Sequence, residues 1–246
     1  MIVVLCEGNL DMEFLSFLFE SKSFNKINHD ENCLLRKLGL DYKKYKVLEK
    51  NDDELIIFFP KSGGYDPVLN TAKDGGTQID WIRRGVTKVV IAVDLDDKNV
   101  DDRIAAIEGS LSGVYEVNRI NKFSYNCRYN EKYEFLFIII PVGDSTLQEK
   151  IDVVQEKSMI EDLILNLALT KSEYENILKQ SIELYKHKMG KRPDQKALLR
   201  MMESFCNDPE KGSYQIISEL KDNINTILPE HIEQSIIEIL SQEKRF

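Results

Sequence analysis

Three acidic residues stand at the ends of segments that have the composition of buried β-strands. Glu7 follows the apolar run 2–5, and Asp94 and Asp96 follow the run 87–93. Continuous β-branched runs of this length are typical of strands buried on both faces of a parallel sheet. Because side chains alternate along a strand, Asp94 and Asp96 point the same way. The sequence therefore predicts a group of carboxylates at one edge of a sheet.

Carboxylates gathered at one place repel each other and raise each other's pKa unless a cation compensates them. Hard oxygen ligands of this kind suit Mg²⁺ or Mn²⁺, which use a few carboxylates together with waters and substrate phosphates. Such a centre neutralises phosphate charge and generates a metal-bound nucleophile. The chemistry expected of Glu7, Asp94 and Asp96 is therefore phosphoryl chemistry with Mg²⁺ or Mn²⁺ as cofactor.

The elements that must position these side chains alternate between strand and helix. Apolar runs predict strands, and helical spacing predicts the helices between them; the strands are 2–5, 54–59, 87–93 and 134–142, and the helices 11–20, 66–85 with an interruption at 75–76, and 101–111. Alternation at this spacing indicates βαβ units, a mainly parallel sheet and ligands at the carboxyl ends of its strands. The polar stretch 21–53 is interpreted as an insertion with one short helix.

After Gly143 the pattern becomes entirely helical. The helical segments are 158–169, 172–188, 195–205, 214–227 and 231–240. We therefore expect an α/β domain over 1–145, of Rossmann-like architecture, with a helical extension over 146–246 packed on it. The last of these helices is apolar enough to pack across a homodimer as well as within one chain.

Two segments resemble the motifs of TOPRIM domains. Cys6-Glu7-Gly8-Asn9-Leu10-Asp11 resembles the first motif, in which a glutamate ends strand one before a Gly-x-x-Asp helix start. Ala92-Val93-Asp94-Leu95-Asp96 is similar to the second, an Asp-x-Asp after a later strand. The resemblance covers 1–145 and points to small stand-alone TOPRIM proteins related to the OLD-family nucleases. The polar stretch 21–53 departs from the shortest versions of that fold.

The resemblance implies Mg²⁺-dependent cleavage or joining of nucleic-acid strands. It implies Glu7 as metal ligand or general acid/base, and Asp94 and Asp96 as metal ligands. Asp11 matches the aspartate of the helix start, although a plain helix N-cap explains it as well. For Asp97, the capping or solvated interpretation is the better one.

The helical extension carries an acidic segment that is similar to one in OLD-like proteins. Glu161 and Asp162 lie in it, and in those relatives acidic residues complete a second metal site. The alternative is a solvated helix face with the leucines inward. Pro193-Asp194-Gln195-Lys196 resembles a lysine-bearing helix start in the same relatives, which implies a catalytic role for Lys196.

Lys196 belongs to the main positive cluster of an acidic chain. We expect nucleic-acid contacts from its neighbours Lys188, Lys191, Arg192 and Arg200, although charge runs are often only solvated surface. The formal net charge of −9 counts against a passive nucleic-acid binder, which usually has a basic surface. It counts less against a metal enzyme, because bound cations offset clustered carboxylates.

Several classes of protein fit poorly. The four cysteines are scattered without a Cys-x-x-Cys pair, which speaks against structural zinc and redox motifs. The chain has no room for the separate tyrosine domain of a topoisomerase and lacks the zinc module of a bacterial-type primase. No apolar run spans a membrane and the first residues lack a basic signal region, so the expected location is cytoplasmic.

Three hypotheses stay open. The first is a metal-dependent nuclease acting on DNA or RNA. The second is a non-catalytic TOPRIM-fold module or a subunit of a larger nucleic-acid-processing or defence complex. The third is a nucleotide-binding α/β domain, which the absence of the glycine-rich phosphate motifs weakens.

Overall fold

The computed structural model describes residues 1–27, 45–50, 54–206 and 212–241. Within these ranges, eight strands form one sheet in the order β2-β3-β4-β1-β5-β8-β7-β6. The strands are β1 (Ile2–Cys6), β2 (Asn25–Lys26), β3 (Lys46–Lys50), β4 (Glu54–Pro60), β5 (Lys88–Asp94), β6 (Glu116–Arg119), β7 (Ser124–Tyr129) and β8 (Tyr133–Val142). The predicted helix-flanked α/β fold is confirmed.

The middle of the sheet is parallel and both of its sides are antiparallel. β1 pairs in parallel with β4 and β5, and β5 pairs in parallel with β8. These four strands are the ones predicted as apolar runs. The outer strands β2, β3, β6 and β7 pair antiparallel and were not predicted. Part of the predicted insertion is therefore sheet, and the short helix expected in it lies outside the described residues.

Helices cover both faces of the sheet. Those of the first half are α1 (Asn9–Glu20), α2 (Tyr65–Lys73), α3 (Gly75–Arg83) and α4 (Val100–Ser112). The break between α2 and α3 falls at the predicted place. Asp74 causes it: its carboxylate accepts hydrogen bonds from the main-chain N–H groups of Gly76 and Thr77, at 3.1 and 3.4 Å, and so caps the new helix.

The second half is helical, as predicted. Its helices are α5 (Leu147–Lys150), α6 (Ile160–Ala168), α7 (Ser172–Met189), α8 (Gln195–Glu203), α9 (Gly212–Leu220) and α10 (Glu230–Leu240). The segment predicted as one helix over 214–227 is shorter, because the chain tightens into a 3₁₀ helix at Lys221–Thr226. Within the described residues, no helix is both long and apolar enough to cross a membrane.

The sheet separates two hydrophobic cores. Alternate residues of β1 face opposite cores, with Val4 and Cys6 on one side and Val3 and Leu5 on the other. The core that contains Val4 is filled by α1 and by the helices of the C-terminal half. The other core is filled by α2, α3 and α4. Residues on both sides of position 145 thus share one core.

Candidate metal centre

The parallel pairing of β1 with β5 brings Glu7 and Asp94 together. Cys6 is in register with Ala92, so the carboxyl ends of the two strands lie side by side. Glu7 Oε1 accepts a hydrogen bond of 3.0 Å from the main-chain N–H of Asp94. Burial raises the pKa of Glu7, and the N–H of Asp94 partly opposes that rise. The predicted juxtaposition of the two strand ends is present.

Asp94 is the last residue of β5. Its Oδ1 accepts a hydrogen bond of 3.1 Å from the main-chain N–H of Ile160, at the start of α6. Burial raises the pKa of Asp94 to about 9, and the nearby charges of Asp11, Glu7 and Glu161 act in the same direction. A carboxylate in these surroundings needs a proton or a cation.

Asp11 completes the inner part of the group from the first turn of α1. The N-cap of that helix is Gly8, so the interpretation of Asp11 as an N-cap is wrong. The side chain is buried, and its Oδ1 has no hydrogen-bond partner within the described residues. Burial, followed by the charge of Glu7, raises the pKa of Asp11 to about 7. An orphaned carboxylate oxygen of this kind is a free ligand for a cation.

Glu161 approaches from the C-terminal half. It is the second residue of α6, its side chain is 14% exposed, and its Oε1 lies 3.8 Å from Nζ of Lys196. Its charge raises the pKa of both Asp94 and Asp11. The acid and the lysine predicted from separate segments therefore meet beside the carboxylates of the strand ends. We refer to Glu7, Asp11, Asp94 and Glu161 as the acidic cluster.

The loop that delivers Glu161 is fixed by Gly143. Its φ is +128°, and an added Cβ would lie 2.7 Å from the main chain of Ser158 and Met159. This close approach lets Ser158 pair with Asp96 through two main-chain hydrogen bonds of 2.7 and 2.8 Å. The start of α6 is thereby held against the end of β5.

Asp96 pairs with two cations. Its Oδ2 lies 2.7 Å from Nη2 of the buried Arg103, and its Oδ1 lies 3.4 Å from Nζ of Lys157. Its backbone has the left-handed φ of +53°. A metal ion at Asp96 would have to share the carboxylate with both cations. The structure thus separates Asp94, in the acidic cluster, from Asp96, in an ion-pair network.

The two further acids predicted as secondary ligands lie elsewhere. Asp97 is exposed to solvent, which fits its solvated interpretation. Asp162 is buried, and its Oδ2 accepts a hydrogen bond of 2.8 Å from the main-chain N–H of Met159, so it fastens the first turn of α6. Burial raises the pKa of Asp162 to about 7.

The oxygen donors of the site decide whether a divalent metal ion fits it. In the described part of the chain, no three His, Cys, Asp or Glu side chains are arranged to hold a metal ion as they stand. The acidic cluster nevertheless offers oxygen donors, raised pKa values and the orphaned Oδ1 of Asp11. Mg²⁺ keeps several waters and takes one or two carboxylates plus substrate phosphates, so this donor set fits it without a complete protein cage.

A family model described as "Protein of unknown function (DUF3226)" matches residues 1–242. The chain belongs to the DUF3226 family. No curated protein matches it.

Among solved structures, the DUF3226 chain is similar to hypothetical protein PH0156 from Pyrococcus horikoshii OT3, with a TM-score of 0.62 and 17% identity. The match covers 96% of this chain and 99% of that one, so the two share a fold along their whole length. Hypothetical protein SA1046 from S. aureus, at 8% identity, covers 57% of this chain and 96% of its own, but the TM-score of 0.17 is too low to argue from.

Two residues of this DUF3226 site escaped the sequence analysis. Arg103 pairs with Asp96 and lies 4.7 Å from the centre of the Tyr65 ring. The sequence does indicate that Arg103 is buried, because it lies on one helix face with the apolar Ile107 and Leu111, at intervals of four residues. The second is Gly64, the N-cap of α2. Its φ is +83°, and an added Cβ would lie 3.3 Å from Glu7 Oε2.

The predicted nucleic-acid contacts divide into two groups. Lys191 and Arg192 line a groove that also contains Lys196. Lys188 and Arg200 are exposed and do not line it.

Proposed function

We propose that this protein is a Mg²⁺- or Mn²⁺-dependent phosphodiesterase that cleaves DNA or RNA, a nuclease of TOPRIM type. The observation that carries the proposal is the acidic cluster at the joined carboxyl ends of β1 and β5. Burial and mutual repulsion raise the pKa values of Asp94 and Asp11 there, and Asp11 Oδ1 has no partner in the described residues. These features together favour a bound cation.

Glu7, Asp94 and Glu161 would hold the metal, and the unpartnered Oδ1 of Asp11 would offer a further oxygen. When bound, a divalent ion of this class neutralises phosphate charge and lowers the pKa of a coordinated water. Glu7 is also placed to accept a proton, since burial raises its pKa from the ordinary glutamate value. Its position is held by the main-chain N–H of Asp94.

The cations around the cluster supply the second part of the proposed mechanism. Lys196 lies 3.8 Å from Glu161, and its exposed side chain can reach a phosphate at the cluster to stabilise charge that develops during cleavage. Arg103 is buried and bound to Asp96, so it acts by positioning the loop after β5. The partner proposed for the site is DNA or RNA, and a cytoplasmic location and a homodimer or larger complex stay part of this proposal.

A second function is a nucleic-acid-binding module without catalysis. One observation favours it: within the described residues, no three potential ligands are arranged around a common point. The two functions differ in whether the purified chain turns over a substrate with added metal.

The deciding experiment incubates the purified full chain with labelled single- and double-stranded DNA and RNA in Mg²⁺, in Mn²⁺ and in EDTA. We expect cleavage only with metal. Asp94→Asn and Glu7→Gln should each lower the rate by a factor of roughly 10² or more, as for other groups that stabilise the transition state electrostatically. Asp101→Asn is the matched control, because this carboxylate is 80% exposed and pairs with Lys122. Metal-independent cleavage, or full activity in Asp94→Asn, would overturn the proposal.

A further inference from the structure

A groove of about 800 Å³ opens beside the acidic cluster. One side is formed by the segment that leads into α6, and the other by the end of α7 and the start of α8. Four cationic side chains line it, against two acidic ones, in a chain with a net charge of −9; the cations are Lys157, Lys191, Arg192 and Lys196. The lining side chains thus carry an excess of positive charge, opposite in sign to the charge of the whole protein, and one of them, Arg192, also pairs with Asp152 at 3.2 Å.

The groove is continuous with the candidate centre. Lys157 Nζ lies 3.4 Å from Asp96, and Lys196 Nζ lies 3.8 Å from Glu161. Both lysines therefore line the groove and also contact an acid, Asp96 in the loop after β5 and Glu161 at the start of α6. A phosphate backbone bound along the groove would be led directly to the acidic cluster.

Hydrogen bonds between its two sides fix the groove in shape. The main-chain N–H of Val154 donates to the carbonyl of Pro193 at 2.9 Å. Gln195 Nε2 donates to the carbonyl of Lys157 at 2.5 Å. Of the two acids, Asp194 is engaged in capping α8 through the N–H of Ala197, at 2.7 Å. The lining is thus held in place before any ligand binds, which reduces the ordering cost of binding.

An aromatic ring stands among these cations. Tyr185, on the last turns of α7, is half-buried and lines the groove. Within the described residues its hydroxyl has no hydrogen bond and its ring has no aromatic or cationic partner. Lys191 likewise has no carboxylate within ion-pair distance there. An aromatic ring beside a row of cations is the arrangement by which proteins bind single strands, with bases stacked on the ring and phosphates on the cations.

We infer that this groove binds single-stranded nucleic acid, with one base stacked on Tyr185 and adjacent phosphates on Lys191 and Arg192. The volume lies in the range of pockets for ligands of one or two nucleotides. A base-paired duplex offers no free base face to the ring, because its bases are stacked on each other. The inference rests on the proposed function for its link to cleavage, but the binding itself needs no metal.

Binding is measured by fluorescence anisotropy in EDTA, where metal-dependent cleavage cannot occur, with labelled single-stranded DNA and RNA of about 10 nucleotides. The corresponding duplexes and free mononucleotides serve as competitors. We expect Tyr185→Ala to weaken single-strand binding roughly tenfold or more, and Tyr185→Phe to bind like wild type, because stacking needs the ring alone. Lys191→Ala should reduce the salt dependence, the slope of log K against log salt, by about 0.7.

Lys179→Ala is the matched control for charge. It removes one cation from α7, the helix that carries Tyr185. Lys179 lies outside the groove lining and pairs with Glu175 at 2.6 Å. Lys191→Glu, at an exposed side chain, provides a second variant if Tyr185→Ala does not fold, and should weaken binding more than Lys191→Ala. Unchanged binding in the Tyr185 and Lys191 variants, or equal affinity for duplex or mononucleotide, would overturn the inference.

The two proposals fail separately. Groove-dependent binding in EDTA without cleavage in Mg²⁺ or Mn²⁺ would support the groove and overturn the nuclease. Metal-dependent cleavage that is insensitive to Tyr185→Ala and Lys191→Glu would support the nuclease and overturn the groove as its binding site.

Discussion

Arg103 and Asp96 form an ion pair at 2.7 Å, between a guanidinium that is almost completely buried and a carboxylate that is one-third exposed. Asp94, two residues earlier, has no cationic partner within ion-pair distance in the described residues and accepts one hydrogen bond from the main chain of Ile160. Two aspartates that the sequence presents as equivalent therefore have opposite electrostatic surroundings. Their substitutions should have opposite effects on stability.

Asp94→Asn should raise the melting temperature of the metal-free protein at neutral pH. The raised pKa of Asp94 means that folding forces this group to take up a proton or to bear an unfavourable charge, and asparagine avoids both. Asp96→Asn should destabilise the protein by about 1–3 kcal/mol, because it leaves a buried guanidinium without its charged partner. Thermal unfolding in EDTA measures both.

The melting temperatures of the same two variants should respond differently to added metal. Mn²⁺ should raise the melting temperature of the wild type and of Asp96→Asn, but not that of Asp94→Asn, since ligands that bind only the folded state stabilise it. If Asp94→Asn destabilised the metal-free protein, or if Mn²⁺ stabilised it like wild type, the acidic cluster would not be the metal centre.

His231 should make stability fall in mild acid. Burial lowers the pKa of His231, although the nearby backbone of Pro141 partly opposes this. The unfolded chain therefore binds a proton more readily than the folded one. The stabilisation is complete above pH 6.5, the ordinary histidine value, and is lost as the pH falls below it, at up to about 1.4 kcal/mol per pH unit.

His231→Gln, which places a polar side chain without a titratable group at the same position, should remove this dependence. Urea unfolding between about pH 7 and 5 measures it, with the exposed His187→Gln as the control. An identical pH dependence in wild type and His231→Gln would contradict the prediction.

The strands that could be predicted from sequence are those buried on both faces. β1, β4, β5 and β8 are continuous apolar runs, whereas β6 reads Glu-Val-Asn-Arg and is mostly exposed. An edge strand is stabilised by its antiparallel partner, and that pairing leaves no periodic signal in its own residues. The parallel centre of the sheet was therefore predictable, and its antiparallel sides were not.

At the site, the positions of the acidic residues along the chain were predictable, but their hydrogen-bond and ion-pair partners were not. Glu7 and Asp94 follow from the rule that parallel strands end at one edge, and Glu161 and Lys196 from the resemblance to OLD-like proteins. That Asp96 is bound by Arg103 and Lys157 depends on the side-chain directions of α4 and of the loop before α6, which spacing alone does not fix. Asp162 was predicted as a second ligand because it stands beside Glu161 in the same acidic segment; the first turn of the helix points it to Met159 instead.

Gly143→Ala should disrupt the candidate centre without touching a charged residue. The new methyl would lie 2.7 Å from the main chain of Ser158 and Met159, and the φ of +128° is strained for alanine. We expect a loss of about 2 kcal/mol or more in stability, together with weaker Mn²⁺ binding, because the start of α6 must move away from Asp94. Calorimetric titration and urea unfolding measure the two effects.

Gly190→Ala is the control for backbone strain alone. Its φ is +66°, and no atom lies within 4 Å of the added Cβ. It should cost about 1 kcal/mol and leave metal binding unchanged. Equal effects of the two glycine variants on metal binding would show that the contact between Gly143 and Ser158 does not position Glu161.

Lys196→Met should separate catalysis from metal binding. The side chain is 59% exposed, so its loss should leave the fold intact. If Lys196 stabilises charge in the transition state, kcat should fall by a factor of roughly 10²–10³. The Mn²⁺ affinity should hold or rise slightly, since a cation next to Glu161 is removed. Lys196→Arg should recover part of the activity, and Lys179→Met should match wild type.

The comparison rests on kcat from single-turnover cleavage and on the Mn²⁺ dissociation constant from calorimetry, measured on the same preparations. A parallel loss of both in Lys196→Met would mean that the lysine only holds Glu161 in place. Unchanged kcat would mean that charge at Lys196 does not act in the reaction. A fall in kcat at constant metal affinity is the result that a catalytic lysine requires, because only an interaction made in the transition state changes the rate without changing binding of the metal.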